Sequence, residues 1–197
     1  MHYFGKQFAV AQAESDLHAF MQKVGQSRFP IDPAFVADVL WQTGVVYLNK
    51  GELEGEQMAF ALLKENKIVV EDSGFETRNR FSTAHEVGHM SLHRYLSKLG
   101  EVTENNHKFC EFQANAYAST LLMPRLAVLQ HVTENTGMLE SDSDKVSMVS
   151  DHFLVSRKSA QIKLEELNLI QNPNIRKQVQ TYSEEKKTER EGWFAGQ

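Results

Sequence analysis

Residues 85 to 89 read His-Glu-Val-Gly-His, and another histidine follows at 93. On a helix, two histidines four residues apart lie one turn apart and about 40° around the axis. Their imidazole nitrogens can then meet on a single ion at about 2.0–2.1 Å. Glu86 projects about 100° away from His85, so it cannot easily join the same ion, but it can reach a water held there. Two ligands and one general base on a rigid element is the chemistry of metal-assisted hydrolysis.

Such a helix has to be held from several sides. With Phe81 at zero, Ala84, Gly88 and Leu92 share its sector, while Val87 and Met90 fall on the far side. Both flanks are therefore expected to be buried, with the ionisable sector between them. An uncompensated carboxylate in that position is unfavourable by roughly several kcal/mol, and an ion removes the objection. Gly88 costs about 1 kcal/mol of helix propensity relative to Ala, which makes sense where another element packs closely. The competing reading is core or surface histidines that merely fall at helical spacing.

A third ligand has to come from elsewhere, and Glu111 in "CEFQANAYASTLLMP" is the candidate. On that helix Ala114, Tyr117, Ala118 and Leu121 form an apolar stripe, with Glu111 and Asn115 at its edge. Glu111 would complete a site of two histidines and a carboxylate and leave a fourth position open. Asn115 is placed to hydrogen-bond the outer atom of a ligand. The alternative for Glu111 is a solvated carboxylate at a helix start, favoured by the dipole. His93 is a rival ligand, but three successive turns span about 12 Å along the axis, so it is expected to bond nearby backbone or cap the helix end. Cys110 is one position off the Glu111 face and reads as a buried thiol. Zinc suits this ligand set, and manganese or iron is compatible with it. Tyr95, His107, His131 and His152 are the candidates for stabilising an oxyanion.

Around these helices the chain reads as α+β, mostly helical with a small antiparallel sheet. Residues 10–24 carry helical spacing. A second helix starts at Asp32 as N-cap and Pro33 at the first position, with Gly44 as its stop. "VVYLN" reads as a strand, and "MAFALLKENKIVVED" as a hairpin turning at 64–67. The histidine helix is expected over 77–93. A polar loop over 97–107 leads to the Glu111 helix, closed by Pro124. "DKVSMVSDHFL" and "SRKSAQIKLEELNLI", the latter capped by Ser156, suggest a helix-turn-helix-like pair. The expected organisation is a domain carrying the metal site over 1–140, the helix pair packed on it over 141–171, and a polar tail over 172–197.

Composition narrows the function classes. Apolar residues at 41% and charged residues at 24% are ordinary for a globular protein. A net charge of −5 argues against holding nucleic acid by the whole surface. The acidic residues Asp142, Asp144, Asp151, Glu165 and Glu166 weaken direct DNA binding by the helix pair. One cysteine excludes an intrachain disulfide and fits a reducing compartment. No signal peptide or membrane span is read, so a cytoplasmic, soluble protein with no membrane partner is expected.

These blocks together resemble the ImmA/IrrE family of metallopeptidases. "FPIDPAFVADVL", "NRFSTAHEVGHMSLH", "EFQANAYASTLLMP" and "FLVSRKSAQIKLEELNLI" match four of its segments in order, over roughly residues 28 to 170. The departures are Tyr117 where Phe is usual, Lys163 where Arg is usual and Asn168 where Gly is usual. The resemblance implies metal ligands at His85, His89 and Glu111 and a catalytic base at Glu86. It is to the short, stand-alone members, many of them encoded beside a helix-turn-helix repressor. It therefore implies a protein substrate, that repressor, whose cleavage relieves repression. The alternatives are a non-catalytic regulatory module, or a toxin-antitoxin component using the same site.

Overall fold

The computed structural model describes residues 2–25, 28–53, 59–63, 65–94, 104–135, 137 and 141–170. The tail expected over 172–197, Tyr95 and Lys64 of the expected hairpin turn lie outside them.

The first helix, α1 (His2–Val24), buries Ala9, Ala13, Leu17 and Phe20, a stripe at spacings of three and four. It begins earlier than the expected residue 10. Helix α2 (Pro33–Trp41) starts as its sequence dictates, with Asp32 accepting from the Ala34 N–H at 2.9 Å. It ends before Gly44, because Gln42 takes the left-handed conformation (φ 53°) and turns the chain there. Gly44 instead opens β1 (Gly44–Leu48).

The hairpin forms β2 (Ala59–Leu62) and β3 (Lys67–Glu71), antiparallel, with Ala59 opposite Val70 and Leu62 opposite Lys67. β3 is the central strand and buries Ile68, Val69 and Val70. β1 pairs with its other edge in parallel, Gly44 opposite Lys67. The small sheet is therefore mixed rather than purely antiparallel. A parallel pair requires the chain to cross over between strands, and here β2 lies within that connection in chain order.

Helix α3 (Glu76–Leu92) carries the histidines, and α4 (Glu104–Leu122) carries Glu111. α4 starts inside the stretch expected to be loop, and its apolar stripe of Ala114, Tyr117, Ala118 and Leu121 is fully buried. Gly88 lies against that stripe: a Cβ placed on it would be 3.2 Å from the Ala114 Cα and from the Tyr117 Cβ. Asp16 of α1 joins the three helices from beneath. It accepts from the Tyr117 hydroxyl at 2.7 Å and the Ser91 hydroxyl at 2.6 Å.

Three helices follow, α5 (Arg125–Asn135), α6 (Asp142–Phe153) and α7 (Arg157–Glu166). A capping box of Ser141 and Asp144 starts α6, and Ser156 caps α7 by accepting from the Ser159 N–H. Val146, Val149, Phe153, Ala160 and Leu164 belong to the same hydrophobic core as α1, α3 and α4. Arg80 of α3 fastens this end polarly, donating to the Ile31 carbonyl at 2.7 Å and the Leu154 carbonyl at 3.1 Å. Asn168 sits at φ 56°, a conformation glycine adopts freely and asparagine tolerates. That lets an asparagine stand where the resemblance expects glycine.

Candidate metal centre

The packing of α3 against α4 across Gly88 decides where their polar edges meet. His85 and His89 face Glu111 there, and one ligand atom from each lies within 4.8 Å of the others. His85 Nε2 is 3.1 Å from Glu111 Oε2, His89 Nε2 is 3.2 Å from Glu111 Oε1, and the two Nε2 atoms are 3.1 Å apart. A tetrahedral ion with bonds of about 2.0–2.1 Å separates its ligand atoms by about 3.3 Å. The donor set has that spacing and that chemistry. Two imidazole lone pairs and a carboxylate this close also need a cation or a proton among them. The residues present fit a divalent metal.

Each histidine is held from behind. His85 Nδ1 is 3.1 Å from Asn115 Oδ1, an acceptor one turn beyond Glu111 on α4. His89 Nδ1 is 3.0 Å from His93 Nδ1, and His93 Nε2 is 3.1 Å from Gln113 Oε1. His93 does stand at the helix end, its backbone N–H bonded to the His89 carbonyl, but its ring turns inward and is buried. Its place behind His89 is not what a capping role predicts. Gln113 escaped notice in the sequence, although it lies two residues from Glu111 and so on the inner side of α4. Cys110 is buried and free.

Burial sets the electrostatics. It pushes the Glu86 carboxyl up to about 8, reinforced by the nearby Glu111 charge and opposed by a hydrogen bond from the Ala61 backbone. It pushes His89 down to about 3, with His85, His93 and His107 adding to the effect. A neutral imidazole is the form that binds metal. Glu86 is 7% exposed and lines, with the three candidate ligands, a cavity of about 470 Å³. Ala59, Phe60 and Ala61 of β2 form one wall, and Ser82 and His107 also reach it. His107 Nε2 is 3.6 Å from Glu111 Oε1, and its side chain is 60% exposed. A larger groove of about 600 Å³ runs between α1, α4 and α7 and shares Phe81 with this cavity, but it contains none of the three ligands.

Two of the other oxyanion candidates, His131 and His152, do not come together with the site. His131 and His152 stack on each other at 3.7 Å between α5 and α6, beside Phe153, and neither lines the cavity. Among the described residues no helix is long and apolar enough to cross a membrane.

No curated protein matches the chain. The peptidase family described as the IrrE N-terminal-like domain matches residues 45–165, a span that holds all of the sheet but Gly44, both helices of the site and all three candidate ligands. With most of its length matched and the His-Glu-x-x-His motif of α3 assembled with Glu111 of α4 into one ligand cluster, the chain belongs to the IrrE/ImmA-like family of metallopeptidases.

Proposed function

We propose that this chain is a zinc endopeptidase that cuts a helix-turn-helix transcriptional repressor encoded nearby, and so relieves repression in the cytoplasm. The observation that carries the reading is the meeting of three ligand atoms beside a buried carboxylate in one cavity. His85, His89 and Glu111 are the ligands. Two imidazoles and a carboxylate suit zinc, and manganese takes the same donors.

A cation held there supplies Lewis acidity to the scissile carbonyl and acidifies a water. Glu86 is the general base: its carboxylate accepts the proton of the attacking water and returns it to the leaving amine nitrogen. Burial and the Glu111 charge raise its proton affinity in the metal-free site; a cation bound to Glu111 would offset that charge and favour the accepting carboxylate. His107, on the cavity rim, is the side chain proposed to offer an N–H to the carbonyl oxygen as charge develops. β2 is at the edge of the sheet and walls the cavity. An extended peptide laid along it would present its backbone towards Glu86. The acidic residues of α6 and α7 favour a protein partner over DNA.

Elemental analysis and a cleavage assay with the neighbouring repressor test this. Wild type should hold one ion per chain, Glu111→Ala should lose it, and Glu86→Gln should keep it while losing cleavage. No metal under any loading condition would leave a non-catalytic binding module in its place. Metal without cleavage of the repressor would leave the peptidase and remove the substrate.

A further inference from the structure

Behind His89 runs a chain of buried polar groups that crosses from α3 through α4 to α1. His89 Nδ1 faces His93 Nδ1 at 3.0 Å, His93 Nε2 faces Gln113 Oε1 at 3.1 Å, and Gln113 Nε2 faces the Gly5 carbonyl at 3.4 Å. His93 is 2% and Gln113 7% exposed, so water does not compete for these bonds.

The direction of every proton in the chain follows from its last member. A backbone carbonyl can only accept, so Gln113 must turn its NH₂ to Gly5 and its oxygen to His93. An amide oxygen can only accept, so His93 must carry its proton on Nε2. A neutral imidazole protonated on Nε2 has its lone pair on Nδ1. His89 must then donate from Nδ1, which leaves the lone pair of its Nε2 facing Glu111 and His85. Were the Gln113 amide reversed, every proton would reverse, and His89 would turn an N–H towards the ion.

We infer that His93 and Gln113 are positioning residues, anchored on the Gly5 carbonyl, that hold His89 in the tautomer whose Nε2 lone pair meets the metal. The inference rests on His85, His89 and Glu111 being the ligands. Gly5 fits the anchor role for a second reason: a Cβ there would come within 2.5 Å of the Phe109 ring. Its absence lets the α1 backbone approach α4 closely enough to receive Gln113. The design parallels His85 and Asn115, but uses a relay of two side chains where His85 needs one, because the inner side of α3 faces the core.

The test is read on metal-free wild-type protein labelled with ¹⁵N-histidine, by long-range ¹H–¹⁵N correlation at neutral pH. His89 should show a protonated Nδ1 and a bare Nε2, and His93 the opposite pattern. His93→Phe keeps a ring of similar size without the acceptor; it should mix the His89 tautomers and weaken zinc binding about 10–100-fold in a chelator competition. His93→Asn, whose amide oxygen falls near the position of the His93 Nδ1, offers His89 Nδ1 an acceptor again and should restore most of that loss. An Nε2-protonated His89 in wild type, or wild-type zinc affinity in His93→Phe, would overturn the inference. Neither readout needs a substrate, so failure to cleave a repressor leaves this inference standing.

Discussion

Gly88 and Tyr117 are in direct apposition: a Cβ on the glycine would lie 3.2 Å from both the Cβ and the Cδ1 of the tyrosine. The separation of α3 and α4, and with it the distance from His85 and His89 to Glu111, is set by that contact. Tyr117 cannot swing aside, since it is fully buried and its hydroxyl is bonded to Asp16. Gly88→Ala would gain about 1 kcal/mol of helix propensity, but overpacking a well-filled contact costs about 1–3 kcal/mol. The expected outcome is a slightly lower melting temperature with a disproportionate loss of zinc affinity, measured by thermal melts beside chelator competition.

Tyr117→Phe tests the support from beneath. The hydroxyl donates to Asp16 Oδ2 at 2.7 Å, and the Asp16 carboxylate is itself buried. Losing a hydrogen bond to a charged acceptor costs about 1.5–3 kcal/mol. Denaturant melts should show that loss, while zinc binding, which depends on the ring and not on its hydroxyl, should remain within about threefold.

Glu86→Gln should reduce peptide cleavage by about 10²–10⁴-fold and leave zinc content unchanged. The same variant gives a pH signature in the metal-free protein. The folded-state carboxyl is raised to about 8 by burial and by Glu111, from an ordinary value of 4.5. A raised value means that its favourable contribution is present below pH 4.5 and is lost as the pH climbs through 8. Melting temperatures of wild type and Glu86→Gln, compared at pH 5 and pH 8, should therefore shift in favour of the variant at the higher pH.

The stacked pair of His131 and His152 gives a pH dependence of opposite sign. Burial pushes both below the ordinary value of 6.5, and for His131 the neighbouring His152 adds to it. Groups held low in the folded state contribute stability above pH 6.5 that is lost as the pH falls. Stability should drop between pH 7 and pH 5, and His152→Phe, which keeps an aromatic ring between α5 and α6, should flatten that drop. Melts of the zinc-loaded protein across this range would check it.

Much of the site was legible because its message is local. The spacing of His85, Glu86 and His89 follows from 3.6 residues per turn, and Gly88 inside the motif announced a close neighbour. The Asp32–Pro33 helix start and the Ser156 cap were legible for the same reason, since a cap is satisfied within three residues. The Glu111 helix could be recognised, but its start could not, because the turn-like composition around Asn106 and His107 is overridden by the packing of the rest of α4 against α1 and α3.

The sequence by itself determined the element types, the chemistry of the donors and the family. What it could not determine were relations between elements: the parallel pairing of β1 with β3, the reach of Arg80 to two carbonyls on different segments, and the inward turn of His93 to Gln113. Each of these joins residues far apart in the chain. Which of several compatible partners a polar side chain meets is set by the packing of buried faces, and periodicity says only that a face is buried. The tertiary structure supplied that choice, and with it the proton order behind His89.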